Sequence, residues 1–161
     1  MKGLRHTLRI GLSFGLTSGV ITTLGLLVGL YSGTHSRLAI TAGILTIALA
    51  DSLSDAVGIH LSEESEGIHS GKEVWESTFF TFMFKAFFTM SFIPPVLFLD
   101  LFLAVITSII WGILLVSLLS YAFAKEKSEN PLIAIGEHVA ITLTVVILTY
   151  YMGELIGKVL S

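Results

Sequence analysis

Five stretches of this sequence stay apolar for about 20 residues or more: residues 10–31, 38–61, 77–97, 98–123 and 132–157. Inside a bilayer only a helix or a closed barrel satisfies its own backbone hydrogen bonds, and blocks of this length suit helices. The expected fold is therefore all-α, a polytopic membrane protein with five transmembrane helices in one domain over residues 1–161. Charged residues make up 13% of the chain, against about 25% in soluble domains, and most lie between the blocks. The joints read "SGTHSR", a short acidic cytoplasmic loop over residues 62–76, the pair Pro94-Pro95, and "AKEKSEN". Prolines lack the N–H donor and clash with the preceding turn, so the third span is expected to turn into the fourth at that pair.

Several classes drop out on composition. There are no cysteines, which removes disulfides and thiol nucleophiles, and a net charge of −3 gives no footprint for nucleic acid. The first apolar block follows the basic start "MKGLRHTLR" but exceeds a signal-peptide core and lacks a small-residue cleavage site, so it reads as a retained span. With the N-terminus cytoplasmic, Lys2, Arg5, Arg9, Lys72, Lys125 and Lys127 fall inside, and only Arg37 and Lys158 fall outside. The expected product is a multi-pass integral protein surrounded by lipid, in the cell membrane if the source is prokaryotic.

The first span carries glycines at four-residue spacing, Gly11, Gly15, Gly19 and then Gly25, Gly29, Gly33. Each set lines one helix face and admits a neighbouring backbone, either within the chain or across a dimer.

The second span holds the puzzle. Asp51 and Asp55 interrupt an apolar run, and four residues apart on a helix they share a face, about 40° and about 6 Å apart. Burying each near the bilayer centre costs about 2.5–3.5 kcal/mol, so a partner or a cavity must compensate. Lys85 on the third span, and Glu137 and His138 on the fifth, are expected in the same inner layer. Ser62, Glu66 and His69 continue the stripe if the helix extends, although Gly67 and Gly71 argue for its end near Glu66.

Carboxylates are hard ligands that suit Mg²⁺, Ca²⁺ and Mn²⁺ and, with imidazole added, Fe²⁺. The expected metal ligands are Asp51, Asp55, Glu137 and His138, with Glu63 and Glu66 capturing ions at the cytoplasmic mouth. A symmetry mate would complete the shell, and carboxylates released by a metal can take up protons. Simpler roles stand beside these: Lys85 as a structural counter-ion, His138 as a packing residue, and the glutamates as a solvated helix end. An aspartyl protease needs two carboxylates converging from separate helices, which Asp51 and Asp55 do not offer. No enzymatic role is expected. The alternative is a non-transporting membrane scaffold with a structural Asp–Lys pair.

These residues resemble the vacuolar iron transporter family along nearly the whole chain. Its first-span pattern Asp-Gly-Leu-Val-Thr looks like Ser18-Gly19-Val20-Ile21-Thr22, followed by Gly25 and Gly29. Its second-span pattern looks like the run from Ala50 to Ser62, its acidic extension like "EESEG", and its third-span ending like "SFIPPVLF". The resemblance implies a homodimer that exports divalent iron or manganese from the cytoplasm against protons, along a path between protomers. It places Ser18, Gly19 and Thr22 beside that path, with no permanently bound cofactor; Gly15, from the glycine spacing, and Lys85, from its place in the third span, are expected beside the path or in its packing. Ser18 stands where the family has its pathway aspartate, and Asp55 where it has a methionine. Ile59 and His60 replace an acid and an aromatic. The loop is too short for the cytoplasmic metal-binding domain of the plant-type members.

Overall fold

The computed structural model describes the backbone of residues 2–160 and the side chains of residues 6–160. Every element is helical: α1 (Lys2–Thr34), α2 (Arg37–Thr46), α3 (Ser52–Glu66), α4 (Gly71–Met90), α5 (Ile93–Phe98), α6 (Leu101–Glu126) and α7 (Pro131–Leu160). A π-helical turn, Ile47–Asp51, joins α2 to α3, so the two form one continuous rod. Five rods, each of 26 residues or more, are long and apolar enough to cross a membrane. At 1.5 Å per residue they reach about 40 Å or more, beyond the roughly 30 Å hydrocarbon core.

α1 is the central post. Leu16, Val20, Leu24, Leu27 and Val28 are buried against Ile40 and Ile44 of α2, Phe92 and Val96 at the α4–α5 joint, and Ala104 and Val116 of α6. Its glycines do the close packing, and both ladders are occupied inside the chain. A Cβ on Gly15 would sit 2.9 Å from the Lys85 backbone nitrogen, and one on Gly19 would sit 3.1 Å from the Lys85 carbonyl oxygen. A Cβ on Gly33 would meet the Gly153 carbonyl at 2.9 Å. Gly11, Gly15 and Gly19 thus hold α4, while Gly25, Gly29 and Gly33 hold α7.

Two expected joints move. The chain does not reverse at Pro94-Pro95. α4 ends at Met90, the prolines lie in the first turn of α5, and the reversal comes at Leu99-Asp100. Proline is tolerated in a first helical turn because the N–H it lacks has no partner there. Arg37 clamps this corner, donating from its two terminal nitrogens to the carbonyls of Leu97 and Leu99, each at 2.8 Å. The loop expected over residues 62–76 shrinks to residues 67–70, since α3 continues to Glu66 and α4 starts at Gly71. Gly67 takes the left-handed conformation (φ 67°) that ends α3, and a Ser70–Glu73 capping box opens α4.

One end of the bundle gathers the start of α1, the α3–α4 corner and the α6–α7 corner, tied by an Arg9–Glu126 ion pair at 2.6 Å. Lys2, Arg5, Arg9, Lys72, Lys125 and Lys127 all lie at this end, and Arg37 and Lys158 at the other.

Candidate functional site

The aspartates and the lysine meet halfway along their helices. Asp51 is residue 15 of the 30 in the span Arg37–Glu66, Lys85 is residue 15 of the 28 in Gly71–Phe98, and Ser18 is residue 17 of the 33 in α1. Counted along the rods, the cluster therefore lies near their midpoints. The blocks understate the helices, which run past them into polar sequence.

Lys85 is wholly buried, and its Nζ contacts both carboxylates. It donates a hydrogen bond to Asp55 Oδ2, which also accepts one from Ser18 Oγ at 2.6 Å. Asp51 Oδ2 lies 2.5 Å from Nζ in an ion-pair contact. Two carboxylates share one ammonium, leaving a formal charge of −1.

Local sequence explains the convergence. Gly15 and Gly19 let α4 approach α1 closely enough to bring Lys85 to Ser18 and Asp55. Lys85 belongs to a row of buried polar residues on α4, Ser77, Thr81, Lys85 and Thr89, spaced every four residues along its α1 face. The π turn ends at Asp51, and Ile47's displaced carbonyl accepts from the Ser52 N–H and, at 3.3 Å, from Ser52 Oγ. A π turn in mid-span is uncommon and clusters at functional positions.

The cluster is not closed off. The side chains of Asp51 and Asp55 remain 38% and 23% exposed. Ser54, next to Asp55 in sequence, and Thr22, one turn after Ser18 on α1, are exposed, and Ser18 is half-buried. Thr22 donates to the Ser18 carbonyl at 2.6 Å.

The other expected ligands lie elsewhere. Glu137 and His138 are residues 7 and 8 of the 30 in α7, close to the Lys/Arg-rich end, and α7 packs on α1 and α6 rather than on the aspartates' partner α4. Glu137 is exposed, and His138 uses Nδ1 on the Ala134 carbonyl at 2.7 Å, as a packing histidine does. They do not join the aspartate cluster, because similar distance along a rod says nothing about which neighbour it faces. Glu66 is exposed, whereas Glu63 is buried near His69 and His6. Gly15 and Gly19 are packing residues. His6 received no metal role from sequence; a lone histidine among basic residues gives no signal until the fold brings its partners.

Neither a protein-family model, nor a curated protein, nor a solved structure matches this chain.

Proposed function

We propose that the chain transports divalent metal cations of the Fe²⁺ or Mn²⁺ class, exporting them from the cytoplasm in exchange for protons along a face covered by a second copy. The observation that carries this reading is the partly exposed, net negative cluster of Asp51, Asp55 and Lys85 halfway along the spans. Lipid cannot solvate such a face, so water or another protein surface must cover it. Helices interrupted at the bilayer midplane beside ionisable groups are the way many transporters build substrate sites. Here the helix is not unwound, but its α geometry gives way to the π turn ending at Asp51. In this reading Lys85 holds the aspartates together until a cation displaces its ammonium. The donors Ser18, Thr22, Asp51 and Asp55 are all oxygens, so Mn²⁺ suits them at least as well as Fe²⁺. The basic end faces the cytoplasm by the positive-inside rule.

A specific observation favours a second reading, a membrane scaffold: Lys85 already engages both carboxylates. Uptake of Mn²⁺ and Fe²⁺ into proteoliposomes, with and without a pH gradient, separates the two. Transport requires gradient-stimulated flux that falls at least about tenfold, or roughly 1.4 kcal/mol, in Asp55→Asn. Flux indifferent to that substitution removes the site, and absence of flux for both ions leaves the scaffold. The dimer is tested in the same vesicles by oxidising a Thr22→Cys variant, whose thiol is the chain's sole cysteine. A crosslinked pair supports the shared face, and a monomer alone argues against it.

A further inference from the structure

We infer that His6, Glu63 and His69 form a second metal site, for a first-row transition-metal dication, at the Lys/Arg-rich end of the bundle. One ligand atom from each lies within 4.8 Å of the other two. They come from three places: the start of α1, the last turn of α3, and the 67–70 corner. The left-handed Gly67 permits the corner that returns His69 toward α3.

Glu63 is the telling residue. A glutamate at the end of an amphipathic rod has solvent within easy reach, yet this one is only 7% exposed. Among the described residues its buried Oε2 accepts no hydrogen bond, and it pairs at 3.6 Å with His69 Nε2, beyond hydrogen-bond reach. Two donors each about 2.0–2.2 Å from one metal stand roughly 3.0–3.5 Å apart, so this separation is close to that of a bridged pair. The His6 and His69 rings stack with centroids 4.8 Å apart, which keeps the second imidazole alongside. Glu73 lies nearby in the chain, but its carboxylate is held by the backbone N–H and hydroxyl of Ser70.

The donor set decides the ion class. Two imidazoles and one carboxylate favour Mn²⁺, Fe²⁺, Co²⁺ or Zn²⁺ over Mg²⁺ and Ca²⁺, and three protein ligands leave positions open for water or exchange. Access is present, since His69 also lines a surface groove of about 260 Å³ with His60, Glu64, Gly71, Val74 and Trp75. Glu63 stands eight residues beyond Asp55 on α3, about 12 Å along the helix. The site is thus separate from the aspartate cluster and does not rest on the transport reading.

The test is Co²⁺ titration of the full chain in detergent, with any purification tag removed, followed by calorimetry and the visible ligand-field spectrum. One Co²⁺ per chain should bind at this site, with affinity lowered in His6→Ala, Glu63→Gln and His69→Ala by at least the roughly 10–100-fold that losing even an outer-shell partner costs. Glu129→Gln, at an exposed carboxylate outside both clusters, should leave that affinity unchanged, and Co²⁺ taken up at the aspartates is told apart by its indifference to the three ligand substitutions. Glu63→Cys guards against misfolding: it should retain Co²⁺ and add a thiolate charge-transfer band. Absence of Co²⁺ binding, equal displacement by Mg²⁺, a thiolate band missing from Glu63→Cys, or affinity indifferent to the three ligand substitutions would each overturn the assignment.

Discussion

Lys85 sets the terms for everything near it. A wholly buried ammonium persists only if paired, and here it donates a hydrogen bond to Asp55 while Asp51 adds a second negative charge. Replacing it alone strands two carboxylates halfway along the spans. Lys85→Met should lower stability by about 2–3 kcal/mol, less than a sealed pair would lose because the aspartates keep partial exposure. The triple variant Asp51→Asn, Asp55→Asn, Lys85→Met should return to within about 1 kcal/mol of the wild type, since it removes the charges together. Unfolding titration in denaturing detergent measures both, and a Lys85→Met protein as stable as the parent would contradict structural pairing. Both aspartates and the lysine were legible in the sequence, as charges inside apolar blocks. Their company was not: Glu137 and His138 looked equally good, because a sequence fixes position along a rod but not which neighbour it meets. His6 was illegible for a related reason, its partners lying 57 and 63 residues away.

Among the elements, α1 owes its central place to glycine. The four-residue spacing was readable, but whether it served a dimer or the chain itself was not. The close contacts with α4 and α7 decide for the chain. Gly19→Ala would put a methyl 3.1 Å from the Lys85 carbonyl and 3.3 Å from its Cγ, shifting α4 or the lysine. Overpacking of this kind costs about 1–3 kcal/mol. Gly58→Ala, with nothing within 4 Å of the added carbon, should be neutral or slightly stabilising by comparison. Equal melting temperatures for the two variants would show that the α1–α4 contact is looser than described. The π turn was beyond sequence reading, since Ile47–Asp51 has no residue that excludes a regular helix. The Leu99-Asp100 reversal was hidden for the opposite reason, the prolines giving a stronger but misplaced stop signal.

At the scale of the whole molecule, five spans were legible because length and apolarity alone demand them. What covers the face of Ser18, Thr22, Ser54 and Asp51 was not legible, because it depends on water or another chain. The central claim is that this face is wet. A chain without cysteine makes the test clean, because a single introduced thiol is the sole target for a maleimide applied from water to intact membranes. Ser54→Cys, on the aspartate-bearing stretch of α3, should be labelled, while Leu114→Cys, an exposed residue midway along α6, should not react, because lipid suppresses the thiolate. Labelling of Ser54→Cys no faster than that of Leu114→Cys would contradict the account.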